Sequence, residues 1–554
     1  MAVTLVSALA ATALAASPAN ARNAYVANSG TDDDVSVINT STNINTGTNI
    51  PVANGPEALA ITPDGKRGYV ATFFTEVVSV INTEANASLG VDIPVGDSPL
   101  FIAISPDGKR AYTPNNADND VSVIDLDTNT NLGADIPVGK EPFGIAITPD
   151  GQRAYVLNHD DDDVSVIDLD TNTKLGTDIP VGNSPEAIAI RPDGQRAYVL
   201  NIDDDDVSVI DTATNTKLPA DIPVGNSPDS IAITPDGRRA YVANTSDDDV
   251  SVIDLDTNTN LGTDIPVGNG SRAIAITPDG KRAYVANVAD DDVSVIDTTT
   301  NTKITDIGVG DNPTAVAITP NQPPQAAFSA SRDAAAAANG ETFVAEVGEQ
   351  VSFDASASTD PDGEVATYAW EFGDGQEAVD GPLQAYAYTS PGTYTATLTL
   401  TDDEGCSTDF VFTGQTASCN GSNVAEASQE VKVLAAPKLK LQAKSKQKPN
   451  ELKLKASCGE LPCEAKISGK ATLPRKGKKA KSYKLKAKTV SLKEGKTKTV
   501  KLKFKNQSKS VKKIDKLLNK DKKARKRNKL VVKVKATGPA GATDKGKQKI
   551  KLKR

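Results

Sequence analysis

Four short apolar runs recur in a fixed order along the first 320 residues, each bounded by turn-forming residues, and each has the length and composition of a β-strand. In the copy between Ile188 and Gly225 they read Ile-Ala-Ile, Ala-Tyr-Val, Val-Ser-Val-Ile and Ile-Pro-Val. The first has no polar position, which suits a strand covered on both faces. The turn after it is Pro192-Asp193-Gly194, where Pro presets φ, Asp bonds back to the backbone and Gly supplies positive φ. The proline of the fourth run removes a ladder donor and places that strand at a sheet edge. The pattern therefore predicts a four-stranded antiparallel meander, with Ile-Ala-Ile innermost and Ile-Pro-Val outermost.

The tyrosine of the second strand falls at Tyr25, Tyr69, Tyr112, Tyr155, Tyr198, Tyr241 and Tyr284, a spacing of 44 once and 43 thereafter. One such meander cannot bury both of its faces, so the units must stack, and closing them into a ring removes the exposed ends. The pattern begins on a second strand, at Ala24, and ends on a first strand, Ala315 to Ile318. The two ends complete one blade, which predicts an all-β, seven-bladed β-propeller closed by N- and C-terminal strands. The motif PDGxRAYVxN…VSVID…IPVG resembles the YVTN-type propeller repeat of prokaryotic surface-layer and secreted proteins. That resemblance implies a ligand-binding or scaffolding disc.

The remainder divides by composition. Residues 323–435 contain VSFDASASTDPDGEVATYAWEFGDG and SPGTYTATLTLTDDEG, which resemble a PKD domain, an immunoglobulin-like β-sandwich of extracellular proteins. The only tryptophan, Trp370, is expected in its core, and the stretch between Cys406 and Cys419 reads as an insertion before a last strand, SQEVKVL. Residues 436–554 hold 42 Lys+Arg against 7 Asp+Glu, a net +35, while the rest of the chain is at −46, so the formal −11 conceals a dipolar molecule. Apolar residues alternate with lysines at Leu439 and Leu441, at Leu452 and Leu454, and at Val500, Leu502 and Phe504, one dry and one charged face per strand. Helical spacing at Val511, Ile514, Leu517 and Leu518 adds one short helix to this second small sandwich, and residues 522–529 are expected as a mobile loop.

Residues 1–21 are apolar and end in Ala19-Asn20-Ala21, the pattern of a secretory signal peptide, leaving 22–322 for the propeller. No stretch approaches the ~20 apolar residues of a membrane span. An even count of four cysteines in an exported chain favours disulfides, with Cys406 near Cys419 and Cys458 near Cys463 in sequence.

Candidate chemistry is sparse. Runs such as Asp160 to Asp163 and Asp203 to Asp206 make one face of the disc electronegative. Calcium is the cation they would take, at Asp160, Asp162, Asp203 and Asp205, although the runs lack the spacing of an oxygen cage. Each arginine after a Pro-Asp-Gly turn is expected to pair with that turn's aspartate. More informative is where the copies disagree: the start of the innermost strand carries Glu57, Leu100, Phe143, Glu186, Asp229, Arg272 and Thr314, a chemically diverse ring converging on one axis. This ring is the expected ligand site. Blade count also resembles that of secreted lactonases and lyases, which use histidine or metal ligands in the channel. The single histidine, His159, is expected in an acidic loop away from the inner strands, and no nucleophile elbow, phosphate loop or zinc motif occurs.

The expectation is an exported, non-catalytic surface protein: a disc that binds a partner protein or glycan, a sandwich spacer, and a basic domain held on anionic envelope polymer. Nucleic acid is not an expected partner, because the basic end lacks an aromatic stacking platform. The rival readings are a self-assembling surface layer and a lactonase, lyase or glycan-acting enzyme with Glu57 and Glu186 as its carboxylate pair.

Overall fold

The computed structural model describes residues 22–553, apart from 333–334, 338–341, 409, 413–416, 436–437, 460–461, 494, 521 and 539–542. The expected signal peptide lies outside the described residues. The chain falls into two compact units, of which the first contains the residues up to Gln325 with Thr359–Thr367 and Thr399–Glu426.

In the first unit, seven sheets each follow the predicted strand order. In one blade Pro142–Ile147, Arg153–Asn158, Asp163–Asp168 and Thr173–Pro180 pair antiparallel in sequence order. The innermost strand is buried on both faces, with Ile145, Ala146 and Ile147 at most 1% exposed. Its Ile145 and Ile147 pack against the preceding blade and its Ala146 against the next, so each of these core clusters is shared by two blades. The seam forms as the ends of the pattern require: Pro313–Ile318 pairs with Asn23–Asn28, Ala24 opposite Ile318.

The repeated tyrosine joins blades rather than merely filling them. All seven are buried, and each hydroxyl donates to an asparagine of the next blade. The bonds run Tyr25 to Asn86 at 2.6 Å, Tyr69 to Asn129 at 2.7 Å, Tyr112 to Asn172 at 3.1 Å and Tyr155 to Asn215 at 2.7 Å. Tyr198 to Asn258 at 2.9 Å, Tyr241 to Asn301 at 2.7 Å and Tyr284 to Asn43 at 2.6 Å complete the circle. Every acceptor asparagine sits at positive φ, between 49° and 54°, a conformation that asparagine tolerates better than most residues. Five of the six arginines expected to pair with their own turn aspartates, Arg67, Arg110, Arg153, Arg239 and Arg282, cross to the next blade instead, and in the remaining blade Arg191 makes that bond, to the Leu255 carbonyl. Arg67 donates to the Leu126 carbonyl at 3.0 Å, Arg153 to Thr212 at 3.1 Å and Arg239 to Thr298 at 3.1 Å. The turn aspartate is already occupied: Asp150 accepts from Thr148 Oγ1 at 2.5 Å and from the Gln152 amide at 3.0 Å.

Also in this unit, Asn321 Nδ2 donates to Asp402 at 3.0 Å, and Arg22 pairs with Glu404 and Asp362. Cys406 is bonded to Cys419, and the loop between them carries a short hairpin, Phe410–Phe412 with Ala417–Asn420.

The second unit holds the rest of the PKD region and the Lys-rich end. Trp370 is 1% exposed and packs edge-on to Phe328, ring centroids 5.2 Å apart, with Phe353 at 5.9 Å. In the Lys-rich end a three-stranded and a six-stranded sheet enclose one apolar core, and Cys458 is bonded to Cys463. Helix Gln507–Lys520 buries Ile514 and Leu518, as their spacing requires. Residues 522–529 are not a loop: Lys522–Arg527 forms a second short helix and Lys529–Thr537 is a strand. Lysine, arginine and alanine are good helix formers, and Ala524 gives the turn a buried contact.

Candidate functional site: the channel mouth

Each inner strand begins beside the end of the second strand of its blade, as Pro142 lies opposite Asn158, so the ring residues and the Asp-rich hairpins share a face. All seven ring positions line one cavity of about 130 Å³ on the propeller axis. Thr314 is buried and donates to the Pro56 carbonyl at 2.7 Å, which makes it part of the wall. The other six are half-buried.

Charge is concentrated on one arc. Arg272 Nη2 donates to Glu57 Oε2 at 2.9 Å, reaching past Thr314, and Arg272 Nε lies 3.9 Å from Asp229 Oδ2. Asp229 also accepts from Thr245 Oγ1 at 3.4 Å. Among the described residues Glu186 has no such partner, and its Oε2 is buried without a hydrogen bond. Burial, and after it the negative charge of Asp229, pushes the Glu186 carboxyl up to about 8, against the pull of Arg272. Burial likewise raises Asp229 to about 6, with Arg272 opposing. Glu57 is raised by burial and held back by Arg272. The mouth thus presents two carboxylates clasping one guanidinium, beside a third carboxyl whose charged form burial and the neighbouring Asp229 disfavour. Glu57 and Glu186, expected as a pair, are not the groups that act on each other: Glu57 is engaged by Arg272, and Asp229 is the carboxylate that acts on Glu186.

The opposite arc is Leu100 and Phe143. His159, expected away from the inner strands, stacks at a tilt on Phe143 with ring centroids 6.1 Å apart. It lies there because its hairpin folds back toward the segment before the inner strand, the His159 amide donating to the Glu141 carbonyl at 3.1 Å. The equivalence of hairpin and inner-strand start in every repeat was the signal that placed it.

The Asp runs have a division of labour that sequence reading missed. Asp161 Oδ2 accepts the Lys140 amide at 2.8 Å within its blade, and Asp162 Oδ1 accepts the Ser184 amide of the next blade at 2.8 Å. Asp163 accepts from buried Asn158 at 2.6 Å, and that amide also donates to Ser165 Oγ at 2.9 Å. Asp204, Asp205 and Asp206 repeat the scheme with the Asn183 amide, the Ser227 amide and Asn201. Asp162 and Asp205 have φ of 53°, which explains an Asp where most side chains are strained. The carboxylates expected for calcium are therefore not brought together. Asp162 and Asp205 cap backbone amides, Asp203 accepts from Ser184 Oγ at 2.7 Å, and Asp160 lies 3.6 Å from Lys140 Nζ. Among the described residues no group of three or more His, Cys, Asp or Glu side chains could hold a metal ion.

Comparison with known proteins follows this architecture. The PKD domain family matches residues 330–415. A 50-residue stretch is 42% identical to the pre-pro-metalloprotease PrtV of Vibrio cholerae, covering 9% of this chain and 5% of that one. A 59-residue stretch is 39% identical to collagenase ColA of Clostridium perfringens, covering 11% and 5%. The chain thus spans about a twentieth of the length of these curated relatives. Among solved structures, a functionally unknown protein from Desulfotomaculum acetoxidans has a TM-score of 0.48 at 19% identity, covering 53% of this chain and 98% of that one. A Bacteroides fragilis protein described as a candidate 6-phosphogluconolactonase has a TM-score of 0.47 at 20% identity, covering 55% and 99%. The YNCE-like beta-propeller family matches residues 1–325, more than half of the sequence, and the chain belongs to that family.

Proposed function

We propose that this is an extracellular, non-catalytic binding protein that takes its ligand at the channel mouth and is held on an anionic envelope polymer by its Lys-rich domain. The observation that carries the reading is the divided mouth: Arg272 with Glu57, Asp229 and Glu186 on one arc, Leu100 and Phe143 on the other. A ligand with an apolar body and a polar end fits such a cavity, since apolar walls supply affinity and a few placed polar groups fix orientation. The PKD domain and two disulfides accord with an extracellular setting. Among the described residues no helix is long and apolar enough to cross a membrane.

The test is retention of the whole chain on purified cell envelope across a salt series, beside Arg272→Ala and a chain lacking 436–554. Loss of low-salt retention on removing the Lys-rich segment, and loss of the salt-resistant remainder in Arg272→Ala, is the expected result. Unchanged retention in both variants overturns the proposal. A second reading, catalysis at the mouth, is favoured by one observation, the buried, unsatisfied Glu186 Oε2 whose carboxyl burial and Asp229 raise, near an Asp229 that Arg272 holds toward its charged form, as a general acid beside a base requires. Lactone or glycan turnover abolished by Glu186→Gln would establish it.

A further inference from the structure

The six-stranded sheet of the Lys-rich domain has one buried and one open face. Its three longest strands are Cys463–Arg475, Lys529–Thr537 and Thr543–Leu552. Ala465, Ile467, Val532, Val534 and Ala536 point into the core, and the alternate positions point out. Register then sets the outward lysines directly opposite one another. Lys466 pairs with Lys535, and Lys535 with Lys545, in one row across three strands. Lys533 faces Lys547 in the next row, and Lys470 faces Lys484 beyond it. Neighbouring strands lie ~4.8 Å apart and alternate residues of one strand ~6.7 Å apart, so the ammonium stems stand on a close lattice.

Like charges set directly opposite each other oppose sheet formation. Among the described residues none of these seven lysines has a carboxylate within ion-pair distance. The only acidic residue on the outward face of the three strands is Glu464, at its end, opposite Thr537. Among the described residues no aromatic side chain stands on that face, and Tyr483 and Phe504 are buried on the core side. Apart from Glu464 at its end the lattice therefore has no counter-charge of its own among the described residues, and it lacks the stacking platform on which single-stranded nucleic acid is held.

Resting on the reading of this domain as an anchor, we infer that the lysine rows are the docking surface for a linear, base-free phosphodiester polymer. Such a polymer presents one negative charge per repeat, at a spacing of several ångströms, and can run along a row with each phosphate between two stems. Its binding releases condensed counterions and removes the repulsion between the facing lysines, so it stabilises the domain as well as anchoring it.

The experiment uses the full chain, with poly(glycerol phosphate) of defined length as probe and glycerol phosphate and a dT30 oligonucleotide as comparisons. Affinity is measured from 50 to 300 mM salt for the parent, for Lys466→Gln/Lys535→Gln/Lys545→Gln, and for Lys453→Gln/Lys455→Gln/Lys501→Gln on the other sheet. Both triples remove the same charge, and melting curves check that each folds; removing one row of facing charges is expected to leave the fold intact. The expected result is polymer binding without monomer binding, and a slope of log K against log salt reduced by about 2 in the row variant and much less in the control, at ~0.7 per lost phosphate contact. Equal slopes in the two triples, or tighter binding of dT30 than of the polymer, overturn the inference. Envelope retention of the same variants separates the outcomes: retention kept by the row variant but lost without 436–554 refutes this face alone, whereas retention kept in both refutes the anchor itself.

Discussion

Replacing the blade-joining tyrosines by phenylalanine removes one hydroxyl each and little else, so the magnitude can be worked from the acceptors left behind. At Tyr69 the hydroxyl donates to Asn129 Oδ1 at 2.7 Å, and the neighbouring Arg67 is spent on the Leu126 carbonyl. Tyr69→Phe leaves Asn129 Oδ1 without that donor at a half-buried position, a loss of about 1.5 kcal/mol. At the seam the acceptors are shared. Asn43 Oδ1 receives both Tyr284 at 2.6 Å and Arg282 at 3.2 Å, and the Thr40 carbonyl receives both as well. Tyr284→Phe should therefore cost less, about 0.5 to 1 kcal/mol. Tyr69, Tyr155 and Tyr241 have no partner in common, so Tyr69→Phe/Tyr155→Phe/Tyr241→Phe should lose the sum of its singles to within ~0.5 kcal/mol. Urea unfolding of the full chain, followed by near-ultraviolet tyrosine signal, reads each value. Singles indistinguishable from the parent would show that the hydroxyls find water as good a partner as asparagine. Tyr284→Phe costing more than Tyr69→Phe would show that ring closure, not local satisfaction, sets the energy.

Further expectations concern the mouth, the hairpins and the disulfides. Because the Glu186 carboxyl is raised to about 8 when folded, the folded state holds an extra proton between the ordinary glutamate range near 4.5 and that value, and stability should fall as pH rises through this window. Glu186→Gln should flatten that slope in a pH series of melting temperatures; an identical slope refutes it. Asp162→Gly should be tolerated better than Asp162→Ala, because φ is 53° although both lose the Ser184 amide contact, and added calcium should not shift the melting temperature of the parent. Removing Cys406–Cys419 by paired serine substitution should cost about 3 kcal/mol and Cys458–Cys463 about 2 kcal/mol, following the lengths of the loops they close, with sequence separations of 13 and 5. Reversal of that order by calorimetry would contradict the loop-entropy account.

Blade number, strand order within a blade and the identity of the split blade were all legible in the sequence. Each follows from a 43-residue period, lengthened by one residue only once, together with a proline that marks the edge strand. The seven mouth positions were legible for a related reason, since variation stands out against repetition and equivalent positions in a ring must converge. What escaped were bonds whose partners lie more than one repeat apart. Tyr155 and Asn215 are 60 residues apart, and a reader scanning a single copy sees a core tyrosine and a turn asparagine. The signal was present: Asn43, Asn86, Asn129, Asn172, Asn215, Asn258 and Asn301 occur at the same place in every turn, where any polar residue would have served a solvated loop. The Asp runs were misleading because composition suggests one shared role, whereas position gives Asp161, Asp162 and Asp163 three different acceptor tasks. Ion-pair choice within the mouth depended on Arg272 reaching two blades onward, past Thr314, to Glu57, a matter of side-chain length across an axis that no linear spacing encodes.

The split blade has a kinetic consequence. Asn23–Asn28 must wait for Pro313–Ile318, some 290 residues downstream, before its free edge is covered. During synthesis the growing array is therefore an open arc, with an unpaired strand at its leading end and no means of closing early. The entropy of joining so long a loop grows only with the logarithm of its length, so closure is feasible once the last strand exists, but among the described residues it is the strand pairing with the greatest separation in sequence. A nascent chain stalled before residue 313 should hence remain protease-sensitive along its whole first sheet, and the ring should become resistant in a single late event.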